Sequence, residues 1–358
     1  AMSTIVVLGG GIGGLSAAFE LKDELGDTHE IVLVSDQPNF EFTPSNPWVA
    51  VKWRTPEAIR LDLNELMPRH GIRFVDQAVK RVQPESHNLL LENDELLSYN
   101  FLVIASGPRL AFDEIPGLGP QEGFTGSVCK TEHAARMAEK FDSFCENPGP
   151  VIVGAAQGAS CYGPAYEYTF IIETELRKRK IRDRVPMVFV TPEPYIGHLG
   201  LDGVGDTKGM LESEMRERHI KWHTNTRIDR VEDGKMTVTE VNEDGSDKAS
   251  HELDFAHSMI LPAFTGIDAV MGIEGLSNPR GFIIVDEHQR NPTYPDIFAV
   301  GVCVAIPPVG ATPLPVGVPK TGYMIESMVT ATVQNIREIL AGSDPSHHAT
   351  WNAFCLAD

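Results

Sequence analysis

Short apolar runs separated by turn-forming residues recur along this chain, and a glycine cluster follows the first of them. Residues 5–8 are apolar, residues 9–14 read Gly-Gly-Gly-Ile-Gly-Gly, and residues 15–18 begin a segment of small side chains. A second apolar run covers residues 30–34. Apolar runs of this length between turn residues predict buried strands, and the small-residue segment predicts a helix packed closely on them. The pattern therefore predicts an α/β fold.

The glycine cluster contains the spacing Gly9-x-Gly11-x-x-Gly14. Between a strand and a helix, such glycines allow a tight turn, let backbone amides approach a pyrophosphate and let the helix pack on the sheet. A ribose-binding acid is expected about twenty residues later, where the sequence has Ser35 and Asp36. Both are candidates for the ribose contact, and we favour the backbone and hydroxyl of Ser35.

Two later strand-like segments distinguish FAD from NAD as the cofactor. The segment ending in Ala105-Ser106-Gly107 resembles the A-T-G strand of flavoproteins with two dinucleotide-binding domains. The segment ending in Gly301-Val302 resembles their F-A-x-G-D motif near the ribityl chain, with valine in place of the aspartate. The alternative is that both are ordinary buried strands followed by turns. Because the motifs occur in the order found in that class, the sequence favours FAD.

The positions of the turn-rich segments predict two Rossmann-like domains. The FAD domain is predicted to be discontinuous in sequence. Proline and glycine at 116–120 indicate a crossover, a second α/β unit starts near Val151, turn-rich segments at 231–245 indicate a β-meander, and 261–266 indicates the return. An apolar stripe predicts a helix over about 322–340. We predict an FAD domain at 1–112 plus 267–342, a second domain at 113–266, and a C-terminal segment at 343–358.

The second unit carries an altered glycine turn, Gly154-Ala-Ala156-Gln-Gly158-Ala159. Ala156 adds a methyl group where a pyrophosphate would approach the backbone, and no clear acid ends the strand at 186–191. The sequence therefore predicts a degenerate nicotinamide site. Cys161 follows this turn at the predicted start of a helix, where backbone amides and the helix dipole lower the pKa of a cysteine and favour the thiolate.

Composition narrows the function classes. The net charge of −20 argues against nucleic acid as a partner. The sequence contains no run of about 18 apolar residues, the length that would predict a membrane-spanning helix. Because the apolar strand begins almost at the first residue, we expect no signal peptide. The five cysteines have no C-x-x-C spacing, which excludes common zinc sites and a thioredoxin-type dithiol. We predict no metal site.

Several segments together resemble the bacterial sulfide:quinone oxidoreductases, along almost the whole chain. They are Pro-Ser-Asn-Pro-Trp at 44–48, Val-Cys at 128–129, Gly-Ala-Ser-Cys-Tyr-Gly-Pro at 158–164, Glu-Pro-Tyr-Ile-Gly-His-Leu-Gly at 193–200, Pro-Lys-Thr-Gly-Tyr-Met at 319–324 and Trp-Asn-Ala-Phe-Cys at 351–355. The resemblance implies oxidation of sulfide to polysulfide or elemental sulfur through a cysteine–sulfur bridge and FAD, with quinone as the electron acceptor.

The resemblance also implies site residues. The three catalytic cysteines of the family correspond to Cys129, Cys161 and Cys355. Cys161 and Cys355 would hold the sulfur bridge, with Cys355 favoured as the partner of the flavin, and Cys129 would assist sulfur transfer. The further catalytic candidates are His133, which would share a helix face with Cys129 if that stretch is helical, His198 and Glu167. The predicted cofactor contacts are Gly9, Gly11, Gly14, Ser35, Asp36, Thr43, Pro44, Asn46, Ala78, Ala105, Ser106, Gly107, Gly301, Val302, Lys320 and Gly322.

The family relatives continue past the last cysteine with helices that sit on the membrane and help to form the quinone pocket. This chain ends at Asp358, so we expect a truncated C-terminal segment without that lipid contact. We expect the protein to be peripheral on the inner membrane, on its periplasmic face, and leave a homo-oligomer open. The alternatives are the flavoprotein subunit of a flavocytochrome c sulfide dehydrogenase, a type II NADH dehydrogenase and a non-enzymatic flavin-binding redox sensor.

Overall fold

The computed structural model describes residues 1–350 and contains two parallel sheets. The first has five strands, in the spatial order Ile297–Ala299, Phe101–Ile104, Thr4–Leu8, Glu30–Ser35 and Arg73–Asp76. The second has four strands, in the order Ile220–His223, Met187–Val190, Val151–Ala155 and His257–Leu261. Each is the sheet of a Rossmann-like unit, so the predicted fold class is confirmed.

Residues 1–350 contain seven helices. They are Ile12–Leu25, Asn46–Val49, Leu63–Arg69, Thr131–Glu146, Gly163–Lys178, Thr207–Glu217 and Gly322–Leu340. Short 3₁₀ turns lie at Thr43–Ser45, Pro56–Ile59, Phe112–Glu114, Arg182–Arg184, Asp268–Val270 and Gly301–Cys303. The last helix has the predicted bounds. Its apolar stripe is buried in the same hydrophobic core as the strands of the first sheet, and it includes Met328, Val329, Val333 and Ile336.

Antiparallel strands complete both halves. The predicted meander is formed by Thr226–Glu232, Lys235–Val241 and Asp247–Asp254. A second three-stranded sheet, which we did not predict, consists of Val79–Gln83, Asn88–Leu91 and Leu96–Ser98. Two short pairs join Asn39–Glu41 to Arg60–Asp62, and Arg109–Leu110 to Phe264–Thr265.

The buried apolar side chains form two main cores. One gathers residues between 5 and 105 together with residues between 270 and 349. The other gathers residues between 128 and 261 with Val49, Val51, Ile59 and Val316. The first chain segment and the segment after 300 therefore each send side chains into the second core.

Candidate active site

In the first glycine turn, two glycines are packed tightly against other backbone atoms and a third has no protein atom close to it. Gly9 has φ +121, and a Cβ built on it would lie 2.1 Å from the Ala105 carbonyl oxygen. A Cβ on Gly14 would lie 1.7 Å from the Gly9 oxygen, so helix and strand meet without room for a side chain. Gly11 has no protein atom within 4 Å of its built Cβ. This is the arrangement a dinucleotide requires: two glycines for close packing and one facing the ligand.

Other predicted cofactor residues lie at the ends of neighbouring strands. Ser35 is buried beside Gly10, and its hydroxyl accepts a hydrogen bond from the Gln37 amide at 3.1 Å, whereas Asp36 is exposed. Ser106 and Gly107 are half-buried directly after the strand that contacts Gly9. Their assignment as FAD contacts stays a prediction, and their position at the carboxyl edge of the first sheet agrees with it.

Lys320 lies beside the end of the strand Ile297–Ala299. Its Nζ donates a hydrogen bond to the Val302 carbonyl at 3.2 Å and stands 5.1 Å from the centre of the Phe282 ring. Burial lowers the pKa of Lys320 to about 8. Gly301, with φ +81, makes the preceding turn, and Gly322 begins the last helix. The structure therefore brings the late cofactor candidates to the same edge as the first glycine turn.

Asn46 joins two parts of the site. Its Nδ2 donates to the Val128 carbonyl at 2.9 Å, and its Oδ1 accepts from the Thr131 hydroxyl at 3.0 Å. Asn46 is fully buried. Its two hydrogen bonds hold the segment around Cys129 against the short helix Asn46–Val49. Two other predicted contacts, Thr43 and Pro44, form the 3₁₀ turn just before it.

The predicted contact Ala78 lies just after the edge strand of the first sheet. It is half-buried between the strands Arg73–Asp76 and Val79–Gln83, and its carbonyl accepts from the Glu92 amide at 2.9 Å. This bond ties Ala78 to the antiparallel sheet that follows. Its role as an FAD contact stays a prediction.

The expected helical relation between Cys129 and His133 is wrong, since the helix begins only at Thr131. The two residues meet through Ser127 instead. The Ser127 hydroxyl accepts from the Cys129 amide at 3.1 Å and lies 3.0 Å from His133 Nδ1. Burial raises the pKa of Cys129 to about 11, against the opposing effect of Ser127, and burial lowers the pKa of His133. Both groups are therefore neutral near pH 7. We did not predict a role for Ser127. Its hydroxyl accepts a hydrogen bond from the backbone amide two residues further on, which is a common serine turn.

Cys161 directly precedes the N-cap residue of the helix Gly163–Lys178, as expected, and is half-buried. The altered glycine turn before Cys161 is hydrogen-bonded to a later segment of the chain, residues 315–317. The Gly158 amide donates to the Pro315 carbonyl at 2.7 Å, and the Gly317 amide donates to the Ala159 carbonyl at 2.9 Å. Backbone groups of the altered turn are thus hydrogen-bonded to residues 315–317. The predicted low pKa of Cys161 stays a prediction.

Glu167 and His198 are both held by neighbouring groups. The Trp48 indole donates to Glu167 Oε1 at 2.9 Å, a contact across 119 residues of sequence that we did not predict. His198 is 6% exposed, its Nδ1 accepts from the Gly200 amide at 3.1 Å, and burial lowers its pKa. The neutral imidazole therefore carries its proton on Nε2.

Besides Cys129 and Cys161, the sequence has three other cysteines. Cys355 lies outside the described residues. Cys303 is buried, which raises its pKa to about 11, and Cys145 is half-buried. Within residues 1–350, no group of three or more His, Cys, Asp or Glu side chains is arranged to hold a metal ion. In the same range, no helix is both long and apolar enough to cross a bilayer.

Comparison with known proteins identifies the family. Residues 3–332 match the pyridine nucleotide-disulphide oxidoreductase family. The chain is 38% identical over 356 residues to the sulfide-quinone reductase of Aquifex aeolicus, which covers 99% of this chain and 80% of that protein. The chain belongs to the sulfide:quinone oxidoreductases. The crystal structure of the Aquifex aeolicus sulfide:quinone oxidoreductase superposes with a TM-score of 0.90, at 39% identity, over 95% of this chain and 77% of that one.

A more distant member of the same family is the mitochondrial sulfide:quinone oxidoreductase of Mus musculus. It is 23% identical over 313 residues, which is 85% of this chain and 66% of that protein. Membership in this flavoprotein family confirms the prediction of FAD as the cofactor. The residues present fit that cofactor, because nothing lies within 4 Å of a Cβ built on Gly11, while Gly9 and Gly14 have no room for a Cβ and let strand and helix pack closely behind it.

Proposed function

We propose that this protein oxidises sulfide to polysulfide or elemental sulfur and passes the electrons through FAD to a quinone. FAD, when bound, accepts the two electrons released by sulfide and gives them to the quinone. The observation that carries the proposal is the contrast between the two glycine turns. Gly11 faces open space, whereas the Gly158 amide is bonded to Pro315 and a cysteine follows. A reductant other than bound NADH, reacting with a thiol, accounts for this contrast.

We assign the sulfur bridge to Cys161 and Cys355. Hydrosulfide attacks one sulfur of the bridge; a new sulfur–sulfur bond forms as the old one breaks, which leaves a persulfide on one cysteine and a thiolate on the other. When these two sulfurs bond again and re-form the bridge, two electrons are released, and this is the pair that bound FAD would accept. The proton of hydrosulfide needs an acceptor. His133 is neutral near pH 7 because burial lowers its pKa, so it is in the form that can take this proton. His198 is also neutral, but its unprotonated Nδ1 is bonded to the Gly200 amide, so we assign its Nε2–H to donate a hydrogen bond to the leaving thiolate.

Cys129 has a different task in this proposal. Its pKa of about 11 keeps it a thiol, which makes it a poor initial nucleophile. We assign it to sulfur transfer after the first step, when its proton can move toward Ser127 and His133, whose side chains lie 3.0 Å apart. Glu167, held by Trp48, is assigned to the charge balance of the same pocket.

The remaining assignments concern position and neighbours. We propose that the FAD domain comprises 1–112 and 267–342 and the second domain 113–266, with 343–358 as a separate segment. We further propose contact with membrane lipid, as expected for a protein that reduces a membrane quinone, and attachment to the periplasmic face of the inner membrane. Neither nucleic acid nor a metal has a role in the proposal.

Anaerobic titration of the flavin with sulfide and with NADH tests the proposal. We expect sulfide to bleach the flavin absorbance and NADH to leave it unchanged. Cys161→Ala should bind FAD normally and lose bleaching by sulfide, while Cys145→Ala serves as the matched control with unchanged bleaching. Bleaching by NADH, or wild-type bleaching in Cys161→Ala, would contradict the proposal.

A further inference from the structure

A buried carboxylate and a buried phenol hold the turn that carries His198. The Leu199 amide donates to Glu193 Oε2 at 2.7 Å, and the Gly197 amide donates to the Tyr166 hydroxyl at 3.0 Å. These two amides flank His198 on either side. The Tyr166 hydroxyl in turn donates to Glu193 Oε1 at 2.7 Å, so the two supports are bonded to each other.

The supports are rigid and out of reach of solvent. Glu193 is 0% exposed and Tyr166 is 4% exposed. The Thr191 hydroxyl adds a third hydrogen bond to the Glu193 carboxylate at 2.7 Å. Burial raises the pKa of Glu193 to about 7, whereas its three hydrogen bonds lower it. A buried carboxylate with three donors fixes all of them, because leaving any one unpaired is costly.

The same turn is also in contact with the Cys161 loop. A Cβ on Gly200 would lie 2.1 Å from the Gly317 oxygen, so the two backbones touch. The Gly317 amide is bonded to Ala159, two residues before Cys161. Tyr166 lies on the helix that begins just after Cys161. Glu193 and Tyr166 thus sit between the histidine turn and the cysteine helix and bond to both.

We propose that Glu193 and Tyr166 are positioning residues that set the place of the His198 imidazole relative to Cys161. Leu199 has φ +60 and Gly197 has φ +83, so the turn has a left-handed backbone on both sides of His198 and needs these side-chain supports to keep it. The inference rests on the proposed function only in taking neutral His198 as a hydrogen-bond donor, through Nε2–H, to the sulfur chemistry at Cys161.

Tyr166→Phe tests this inference, and Tyr168→Phe is its matched control. Tyr168 is on the same helix, is 0% exposed, and its hydroxyl bonds His257 at 2.7 Å instead of the histidine turn. Both variants lose one buried hydroxyl, so we expect both to bind FAD and to melt a few degrees below the wild type. The rate of flavin bleaching by sulfide should fall roughly ten- to one-hundred-fold in Tyr166→Phe and stay near the wild-type rate in Tyr168→Phe.

The pH dependence of the bleaching rate distinguishes a positioning role from a loss of stability, because lower stability alone would not shift it. The ring of Tyr195 lies 5.2 Å from the ring of His198. The charged groups around these rings are Asp202, which accepts from the Tyr195 hydroxyl and acts on the pKa of His198, and Lys208, which stands over the Tyr195 ring. Burial lowers the pKa of His198. A loosened turn exposes the imidazole, so the acidic limb of the bleaching rate should move to higher pH in Tyr166→Phe and stay in place in Tyr168→Phe.

Glu193→Gln provides a second variant, since an amide cannot accept hydrogen bonds from all three donors, and it should slow bleaching in the same way. Combining Tyr166→Phe with His198→Ala should give the rate of His198→Ala alone. Equal rates in Tyr166→Phe and Tyr168→Phe, multiplied effects in the double variant, or a wild-type rate in His198→Ala would each overturn the inference. None of these results affects the proposed function, which fails only if sulfide does not bleach the wild-type flavin or Cys161 proves dispensable.

Discussion

Gly11→Ala separates a defect in FAD binding from a defect in folding. Gly11 has φ −86 and ψ −163, which alanine adopts freely, and no protein atom lies within 4 Å of the added methyl. Gly14→Ala instead places a Cβ 1.7 Å from the Gly9 oxygen. Gly13→Ala is the matched control, because its methyl makes an ordinary 3.5 Å contact with Ile325 inside the protein.

The magnitudes follow from these distances. In Gly11→Ala the apoprotein should keep its free energy of unfolding to within about 1 kcal/mol. The methyl occupies the space that a phosphate needs to reach the backbone amides, and one charge-assisted hydrogen bond contributes about 1.5–3 kcal/mol. FAD affinity should therefore fall about 10- to 150-fold. Gly14→Ala should destabilise the apoprotein itself by on the order of 3 kcal/mol, because only backbone movement relieves the contact.

The assay is titration of deflavinated protein with FAD, followed by flavin fluorescence, beside urea unfolding of the same apoproteins. We expect Gly11→Ala to unfold like the wild type and to bind FAD weakly. Gly13→Ala should match the wild type in both measurements. FAD affinity of Gly11→Ala equal to that of the wild type would refute the assignment of this turn to the pyrophosphate.

Three further outcomes follow from buried polar groups. Asn335 bonds both the amide and the carbonyl of His347 at 2.8 and 3.0 Å, so Asn335→Leu should speed amide hydrogen exchange over residues 343–350, and unchanged exchange would contradict this anchoring. His257 has a pKa lowered from 6.5 to about 4 by burial. Because the unfolded chain takes up this proton first, stability is complete above pH 6.5 and falls by on the order of 3 kcal/mol as the pH drops to 4, and urea unfolding of His257→Gln should lack this loss. Burial raises the pKa of both Cys129 and Cys303 to about 11, so iodoacetamide at pH 8 should alkylate them roughly a hundred-fold more slowly than an ordinary thiol, as measured by mass spectrometry of their peptides.

The fold was predictable wherever a periodic pattern was long enough. The five-residue strand Thr4–Leu8 and the 19-residue helix Gly322–Leu340 have continuous or periodic apolar positions, and both were predicted almost to the residue. The strands Asn88–Leu91 and Leu96–Ser98, of four and three residues, were missed. A strand that short offers only one or two alternations, which is too few to distinguish it from a loop.

The site was predictable as a set of segments and not as a set of contacts. The cysteines and histidines stood out because their residue types carry chemistry. Trp48, Ser127 and Glu193 did not, since each acts through a hydrogen bond to a group that the sequence does not place beside it. The bond from Trp48 to Glu167 spans 119 residues, and no local pattern encodes a pairing at that separation.

At the second glycine turn, the structure offers a different reason from the sequence for the predicted degenerate nicotinamide site, which stays a prediction. From the sequence, the methyl of Ala156 explained why a nicotinamide cofactor would not bind. In the structure Ala156 is buried, with its amide bonded to the Leu261 carbonyl at 2.8 Å, while the Gly158 amide is bonded to Pro315 at 2.7 Å. Replacing Ala156 by glycine would leave that second bond intact. Recovering a nucleotide site would therefore require displacing residues 315–317, which precede Lys320 and contact the His198 turn, so the closed turn and the sulfur site depend on the same segment.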